Sequence, residues 1–354
     1  MRITILCRER PGQTNAIRDA SLALLQALED AGVDAAYLGR TIDGPWVDVT
    51  GRTRPLDGRT QRGDVVVLQY QPFLWGRWGV APWLPAATAR LARRGVRVVL
   101  LVHEPFVEAE SWKRVLLGAW QRTQLEALRL PAELVCVTIE PWTRRLSTWW
   151  PARRTMHLPV GSNVPDRRAS RAASRQALGV DDKTLVVVTL DTGHPSQRVV
   201  DAAAAVSRLA QSGEPVVWLA LGAGASAPTT SQVVRVHRPG LVPASELASL
   251  VAAGDLFLAP FGDGVSTRRS SVMAALQHGL PVLGTDGPLT DPSLRHEPGL
   301  VLVPAGAPER LIEEAKRLVE RRDELPVLGA SARALYARRF AWPVIAARLL
   351  DALG

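Results

Sequence analysis

The stretch that decides the fold runs from Leu256 to Val282 and reads LFLAPFGDGVSTRRSSVMAALQHGLPV. It joins two short apolar runs through a glycine-rich loop and a segment of helical character. Because each run is apolar without alternation, the pattern is typical of parallel strands covered by helices on both faces. We therefore expect a strand, a loop, a helix and the next strand of one parallel sheet.

The same alternation extends along the whole chain and predicts an α/β protein. Segments of helical period lie at 15–31, 196–211, 244–253 and 308–322, between the apolar runs. Eleven strands in 354 residues are better divided between two doubly wound sheets than held in one. The predicted strands are Arg2–Cys7, Asp64–Gln69, Val96–Val102, Glu133–Ile139, Met156–Val160, Thr184–Leu190, Pro215–Leu221, Val233–His237, Leu256–Pro260, Pro281–Gly284 and Leu300–Val303.

The boundary between the two domains is predicted at a small, polar, proline-marked segment, Gly161–Pro165. We expect a first domain at 1–163 and a second at 164–338. The last segment, 339–354, has the pattern of an amphipathic helix, which by its pattern alone could pack on either domain.

The charge balance is strongly basic, with 43 Lys and Arg against 34 Asp and Glu and a net charge of +9. An anionic partner and a general arginine bias both fit this balance. A nucleic-acid partner is not expected, because the chain lacks a Lys/Arg run, a zinc pattern and an RNA-binding signature. Cys7 and Cys136 lie in apolar runs and predict buried thiols. Without a signal-peptide core or an apolar run of about 20 residues, a cytoplasmic protein is expected.

The glycine-rich loop after Leu256–Pro260 predicts an anion site. Its glycines let the backbone approach a ligand, and Ser266 or Thr267 is expected to cap the following helix. Arg268 and Arg269 fall in the first turn, where cations oppose the helix dipole. An anion beside them would remove that conflict. The alternative is a plain loop with solvent-facing arginines.

Two other loops carry candidate residues at strand ends. The loop after Thr184–Leu190 holds Ser196, a predicted helix cap, and Arg198 beside the helix start. A capped turn with an exposed arginine explains that loop equally well. His103 follows the strand Val96–Val102, although a lone histidine is more often structural than functional.

Four segments of the second half, 240–247, 253–260, 263–266 and 275–282, carry a family resemblance. They are similar to the donor-binding domain of retaining glycosyltransferases of the GT-B fold, particularly family 4. The resemblance implies two Rossmann-like domains facing across a cleft. It also implies a nucleotide-sugar donor held by the second domain, an acceptor held by the first, and a terminal helix that crosses back to the first.

The resemblance also implies roles for individual positions. Asp263 takes the place of the acid that faces the sugar hydroxyls, and His103 that of a histidine beside the donor sugar. Arg198 and Arg269 would steady the leaving phosphate. Together with the loop prediction above and the departure described below, this gives the residues expected to bind the donor: Gly12, Gly240, Leu241, Val242, Gly264, Val265, Ser266, Thr267, Arg268, Ser270 and Ser271.

The sequence departs from the family where a second acid usually holds the ribose. Ala274 occupies that position, and Ser270 or Ser271 lies about one helical turn earlier. A retaining transfer needs no carboxylate pair around the bond, unlike glycoside hydrolysis. No Asp-x-Asp motif occurs, so no metal or other cofactor is expected. The loop that would supply an inverting base has Glu9 as its only carboxylate, which favours retention.

The acceptor side is marked by tryptophans, nine of which, out of eleven, lie before residue 151. Core packing, a pocket for a small-molecule or aglycone acceptor, and contact of Phe73–Arg94 with an anionic membrane carrying a lipid acceptor all remain open. The activity also has alternatives: a GT-B-like epimerase, a catalyst coupling a cyclitol, or a degenerate sugar-nucleotide-binding protein without turnover.

Overall fold

The computed structural model describes residues 1–9, 15–41, 44–54, 56, 60–107, 111–151, 154–166, 170–222 and 234–354. These residues form two compact units, Met1–Val160 together with Trp342–Gly354, and Gly161–Ala341. The unit boundaries differ by three residues from the predicted ones at 163/164 and 338/339. Gly12 lies outside the described residues.

The first unit is built on a seven-stranded sheet with the order β3-β2-β1-β4-β5-β6-β7. All its pairings are parallel except that of β3 with β2. The central strands are buried on both faces, as their unbroken apolar sequences predict. The strands are β1 Arg2–Arg8, β2 Asp34–Arg40, β3 Trp46–Val47, β4 Val65–Tyr70, β5 Arg97–Val102, β6 Ala132–Val137 and β7 Arg154–His157.

The second unit has a six-stranded sheet with the order β10-β9-β8-β11-β12-β13, and all its pairings are parallel. Helices cover both faces, with separate apolar cores on either side of the sheet. The strands are β8 Leu185–Asp191, β9 Val216–Gly222, β10 Arg235–His237, β11 Leu256–Ala259, β12 Val282–Asp286 and β13 Leu300–Pro304.

Twelve α-helices connect or follow these strands in the described residues. They are α1 Ala16–Asp30, α2 Pro72–Trp75, α3 Trp83–Arg93, α4 Trp112–Arg129, α5 Glu140–Trp149, α6 Arg171–Ala177, α7 Val199–Gln211, α8 Ala244–Ala252, α9 Ser270–Gln277, α10 Pro308–Glu320, α11 Leu325–Arg339 and α12 Trp342–Leu353. The terminal helix α12 packs on α1 of the first unit. Arg348 fixes it by donating a 2.9 Å hydrogen bond to the carbonyl of His157.

The structure contains every predicted strand, with shifted ends, and two strands that were not predicted, β2 and β3. The first of these reads DAAYLGR, in which alanine, glycine and a charged first residue hide its strand character. The second has only two residues, Trp46 and Val47, and pairs antiparallel to the first. The second was missed because a strand of two residues carries too little pattern to be recognised.

A buried ion-pair network around Asp255 holds the start of the second unit together. Arg175 is 1% exposed, and its Nη1 lies 3.1 Å from Oδ2 of Asp255. The same oxygen accepts a 2.8 Å hydrogen bond from the backbone N–H of Val186 in β8. Arg171 also pairs with Asp255, through the other carboxylate oxygen. The network thereby links α6 to β8 and to the residue preceding β11.

The two cysteines are free thiols within the first sheet, as predicted. Cys7 lies in β1 and Cys136 in β6, and both are fully buried. Burial raises the pKa of each thiol to about 12. Among the described residues, no helix combines the length and the apolar character needed to cross a membrane.

Candidate functional site

The second sheet reverses its strand order between β8 and β11. From β8 the chain continues through α7 to β9 on one side, and from β11 through α9 to β12 on the other. In open α/β sheets, ligands bind at the carboxyl ends of the strands that flank such a reversal. The two loops meet there: the N–H of Gly262 donates to the carbonyl of Ser196 at 2.7 Å, and that of Arg198 to Pro260 at 2.8 Å.

A charged cluster, which we call the Asp263 cluster, lies where these loops meet. Nη2 of Arg269 is 2.7 Å from both carboxylate oxygens of Asp263 and 2.7 Å from Oγ of Ser196. Nη2 of Arg268 is 2.7 Å from Oδ2 of the same carboxylate. Oγ of Ser196 in turn lies 2.8 Å from Nδ1 of His194. The cluster therefore joins side chains from both loops in one hydrogen-bonded chain.

The carboxyl of Asp263 is held in its charged form. Burial raises its pKa, but the adjacent Arg269 and Arg268 guanidinium groups and the hydroxyl of Ser196 together outweigh burial, so the pKa lies below the usual value. At neutral pH the cluster consequently contains an anion fixed between two cations.

The lowered pKa of Asp263 predicts that this residue stabilises the fold at neutral pH and that the stabilisation is lost in acid. A carboxyl whose folded-state pKa is lowered stabilises the fold above its unfolded-state pKa of about 3.9, and this stabilisation disappears as the pH falls through the folded-state value. We expect the Asp263→Asn variant to unfold at a lower urea concentration than the wild type at pH 7. Near pH 3 the difference between the two urea midpoints should be smaller. Urea titrations followed by circular dichroism at both pH values measure this. A constant gap at both values would contradict it.

The arginines do not lie in the first turn of a helix, contrary to the sequence prediction. The helix α9 begins at Ser270, and Arg269 occupies the N-cap position without a side-chain capping bond. Ser266 and Thr267 therefore do not cap it. Instead, the N–H of Thr267 donates a 2.6 Å hydrogen bond to Oδ2 of the buried Asp291. The predicted cap at Ser196 is also wrong, because α7 begins at Val199.

The anion that was expected beside Arg268 and Arg269 is Asp263 of the chain itself. An outside anion is not needed to explain why two arginines stand there. What the cluster offers a ligand is thus a positioned carboxylate together with the two guanidinium groups that hold it.

The backbone of the glycine-rich loop is pressed against the segment that follows β12. Gly264 has φ +92°, and a Cβ at this position would lie 2.1 Å from Oγ1 of Thr290 and 2.5 Å from the nitrogen of Gly287. The adjacent Val265 donates its N–H to the carbonyl of Thr285 at 2.8 Å. These contacts fix the loop that carries Asp263, and they require glycine at 264.

Gly264→Ala is expected to lower the free energy of unfolding by about 3–4 kcal/mol, of which about 1–2 kcal/mol comes from the positive φ and about 1–3 kcal/mol from overpacking against Thr290 and Gly287. Both the positive φ and the contact with Thr290 cause this loss. Thermal unfolding of the full chain measures it. Gly306→Ala provides a control for the φ term alone, because Gly306 has φ +83° but open space around its Cβ position. Equal losses in the two variants would show that the packing against Thr290 contributes nothing.

The remaining predicted residues of this region differ in their access to a ligand. Val265, Ser266 and Thr267 are fully buried, and Ser271 is 3% exposed, whereas Ser270 is half-buried. The Oγ atom of Ser266 is buried without a hydrogen-bond partner among the described residues. A ligand at this loop therefore meets the side chains of the Asp263 cluster and Ser270 before it meets those of 265–267.

Arg198 belongs to the same loop as Ser196, but its side chain is not among those joined in the Asp263 cluster. Its side chain is 61% exposed and its Nε is 3.5 Å from the carboxylate of Asp201, one helical turn later. This placement matches the alternative of an exposed arginine beside a helix start.

Gly240, Leu241 and Val242 follow the edge strand β10. They lie at the same edge of the sheet as the Asp263 cluster, because all six strands are parallel. Three strand spacings separate β10 from β11, which is about 14 Å. Gly240 has φ +73°, and Leu241 is 67% exposed.

His103 belongs to the first unit, where it follows β5. Its Nε2 lies 2.6 Å from Oε1 of Gln69 in β4, and the side chain is 8% exposed. Together with Pro159 and Trp342 of the terminal helix, it lines a small cavity of that unit. The next residue, Glu104, accepts a 2.9 Å hydrogen bond from Gln71.

Comparison with solved structures identifies the fold. Sucrose-phosphate synthase from Thermosynechococcus elongatus matches with a TM-score of 0.70 and 15% identity over 99% of this chain and 98% of its own. WaaG, a glycosyltransferase involved in lipopolysaccharide biosynthesis, matches with a TM-score of 0.67 and 14% identity over 100% of this chain and 99% of its own. Alr3699/HepE of Anabaena, solved in complex with UDP-glucose, matches with a TM-score of 0.63 and 16% identity over 100% of this chain and 99% of its own.

The chain has the GT-B fold. No protein-family model and no curated protein matches the sequence. At these identities the likeness concerns the fold alone.

The position at which the sequence resemblance implies a second acid is occupied by a residue in apolar surroundings. Ala274 is fully buried in α9 and packs in an apolar cluster with Val164 and Ala248. Nothing in that cluster would compensate an ionised side chain at 274. A ribose at this site would have to be held by other groups, and Ser270 is the half-buried hydroxyl one turn earlier.

Two site residues of the GT-B protein were missed at the sequence level. His194 contacts Ser196 of the Asp263 cluster, and Asp291 anchors the glycine-rich loop through Thr267. The signal for His194 was its place in a loop that follows a buried strand. Asp291 gave no comparable signal, because its role depends on the folding of the segment after β12 onto the loop.

The tryptophans of the first unit are mostly not core residues. Three are buried, one is half-buried and five are more than a third exposed. The buried ones are Trp75, Trp142 and Trp150; Trp46 is half-buried; the exposed ones are Trp78, Trp83, Trp112, Trp120 and Trp149. In the described part of the chain, no group of three or more His, Cys, Asp or Glu side chains is arranged to hold a metal ion.

Proposed function

We propose that this protein transfers a sugar from a nucleotide-sugar donor to an acceptor. The observation that carries the proposal is the Asp263 cluster at the strand reversal of the second sheet, since this is where an α/β sheet binds ligands. A carboxylate flanked by guanidinium groups offers both an acceptor for sugar hydroxyls and donors for phosphate oxygens.

The donor is proposed to lie along the carboxyl edge of this sheet. Its nucleobase would contact the backbone at Gly240, Leu241 and Val242, and its diphosphate and sugar would lie at the Asp263 cluster. The separation of about 14 Å between β10 and β11 leaves room for a nucleoside between the two contacts. Gly264 would let the backbone approach the diphosphate.

Chemically, the departure of the nucleoside diphosphate develops negative charge on the β-phosphate. Arg269 is proposed to stabilise that charge, because a guanidinium fork in a buried position is well suited to an oxyanion and has a fixed orientation here through Asp263 and Ser196. Arg198 would join it from the solvent side. The proposed transfer proceeds with retention and without a metal, as in the family 4 enzymes that the sequence resembles.

The acceptor is proposed to be a small molecule or an aglycone, bound by the first domain, and the reaction to take place in the cytoplasm. A lipid acceptor at an anionic membrane surface is the alternative that the exposed tryptophans favour. A second candidate function is sugar-nucleotide binding without turnover. The observation in its favour is the apolar burial of Ala274, which excludes the usual second carboxylate.

The test incubates the protein with UDP-, GDP- and ADP-linked sugars, with and without 4-methylumbelliferone as an aglycone probe, and measures nucleotide release. Calorimetry with each donor measures binding. Release with one donor, unaffected by a chelator and absent in Asp263→Asn, supports the proposal. Binding without release in every mixture supports the binding protein. Neither binding nor release across the panel overturns both functions.

A further inference from the structure

The helix α4 buries polar as well as apolar residues, since two glutamines lie on its inward face together with Gly118, Leu125 and Leu128. Its inward face carries two glutamines, Gln121 at 0% and Gln124 at 5% exposure. Oε1 of Gln121 accepts a 2.9 Å hydrogen bond from the N–H of Val107, and Oε1 of Gln124 accepts one of 2.6 Å from Ala81. Both amides are therefore satisfied by backbone groups of the first unit.

The outward face of α4 carries large apolar side chains instead. Trp112 is 70% exposed, Val115 50%, Leu116 64% and Trp120 50%. Their spacing of three, four and eight residues from Trp112 places them in one stripe along the helix. A helix face exposed only to solvent usually carries polar residues. The apolar stripe therefore indicates a binding partner that provides an apolar environment.

Trp78 adds a further exposed aromatic side chain, from a turn that packs against α4. It is 71% exposed although its φ of +59° is unfavourable for a bulky residue. Nε2 of Gln121 lies 3.4 Å from its carbonyl oxygen, so the inward face of α4 holds this turn in place. The side chain of Trp78 is thus exposed to solvent although its backbone conformation is energetically unfavourable. We call Trp78, Trp112, Val115, Leu116 and Trp120 the aromatic face.

The charged residues of α4 that lie nearest the aromatic face in sequence are cationic. Between residues 65 and 103 the sequence contains no Asp or Glu, and Glu104, Glu108 and Glu110 follow before α4 begins. In α4 itself, Lys113, Arg114 and Arg122 precede the first acid, Glu126. Nζ of Lys113 lies 5.6 Å from the centre of the Trp112 ring, so cation and aromatic ring lie side by side.

We propose that the aromatic face docks on an anionic lipid bilayer, with α4 lying in the plane of the interface. Tryptophan has an apolar ring and a polar N–H, which suits the boundary between acyl chains and headgroups, and flanking cations pair with anionic headgroups. The sequence prediction assigned membrane contact to Phe73–Arg94. The structure assigns most of the contact to α4, and Trp78 is the part contributed by the predicted segment.

This inference rests on the membrane branch of the proposed function but not on the transfer reaction. The test is flotation of the full chain with vesicles of phosphatidylcholine containing about 30% phosphatidylglycerol, and with vesicles of phosphatidylcholine alone. We expect binding to the anionic vesicles, little binding to the neutral ones, and release at high salt. No donor is present, so the result is separate from nucleotide release.

The variants are Trp112→Ser with Trp120→Ser, and Leu116→Ser matched by Val327→Ser. Val327 is 67% exposed on α11 of the second unit and far from the aromatic face in sequence. Removing one inserted side chain should lower the partition coefficient by about tenfold or more, from the usual value of burying a large apolar group. Val327→Ser should leave it unchanged. All replaced side chains are exposed, and circular dichroism verifies that the variants are folded.

Three results would overturn the proposal. The first is absence of binding to the anionic vesicles. The second is equal binding by the double tryptophan variant and the wild type. The third is a dimer in light scattering that dissociates in the tryptophan variant while neither protein binds vesicles, because a second copy of the chain would then be the partner of the aromatic face.

Discussion

Arg269→Ala is expected to lower nucleotide release from the donor by on the order of 100-fold, the scale for removing one group that stabilises developing charge. Arg269 is 7% exposed, and its guanidinium is held by Asp263 and Ser196 before any ligand arrives. Little reorganisation is therefore needed when charge develops on a phosphate beside it. Loss of the side chain also frees the carboxylate of Asp263, so binding of the sugar should weaken as well.

Steady-state kinetics with the best donor of the panel checks this expectation. Arg310→Ala serves as the control, since its side chain is 64% exposed on α10 and pairs with Glu313 one turn away. Arg269→Lys separates charge from geometry: a lysine keeps the charge, but it lacks the second planar nitrogen through which a guanidinium can donate to a phosphate while Nη2 contacts Asp263 and Ser196. Unchanged kinetics in a folded Arg269→Ala would remove this residue from the site.

Asp255→Ala is expected to destabilise the second unit by about 3–5 kcal/mol, because removing one partner of a buried ion pair leaves the other charge uncompensated. Arg175 would be left with its side chain 2% exposed and without the carboxylate 3.1 Å away. The N–H of Val186 in β8 would also lose its acceptor. Arg175 would keep only a 3.8 Å pair with Asp182, whose side chain is 92% exposed, in addition to its backbone contacts. The loss therefore combines a poorly compensated buried charge and an unpaired backbone donor.

Hydrogen exchange of the β8 peptide, Leu185–Asp191, measures this loss within the full chain. A change of that size accelerates exchange by roughly 100-fold or more if exchange requires opening of the unit. Asp286→Ala is the control, since its pair with Arg295 is 38% exposed on both sides and such pairs contribute less than about 1 kcal/mol. Equal protection in Asp255→Ala and Asp286→Ala would mean that the buried network does not stabilise β8.

The fold was predictable because the strands of both sheets are apolar on both faces. Runs such as Val65–Tyr70 and Leu185–Asp191 have almost no polar interruption, and burial on two faces leaves this signature in the sequence. The strand β2 escaped prediction because Asp34 and the alanines after it lie half-buried or exposed. The start of α9 was also misplaced. Capping preference favours Ser266 or Thr267 as the N-cap, whereas the N-cap residue in the structure is Arg269 and the helix begins at Ser270.

The site was predictable in its residues but not in its contacts. Asp263 and Arg269 were singled out from one loop, and the structure brings them within 2.7 Å. Ser196 is 73 residues away from Arg269 in the chain, and only the strand order places β8 beside β11. The helix-dipole reasoning pointed to an outside anion because it treated the arginines as helical, whereas they precede α9 and face the carboxylate of their own loop.

The burial of both native thiols makes the protein a convenient host for a single spectroscopic label. Cys7 and Cys136 are the only cysteines in the sequence, and a thiol with a pKa of about 12 is almost entirely protonated at neutral pH. A maleimide would therefore react with one cysteine introduced on the surface while leaving the native pair untouched. A fluorophore or spin label at position 116 would report the polarity around α4 directly, in the otherwise unaltered chain.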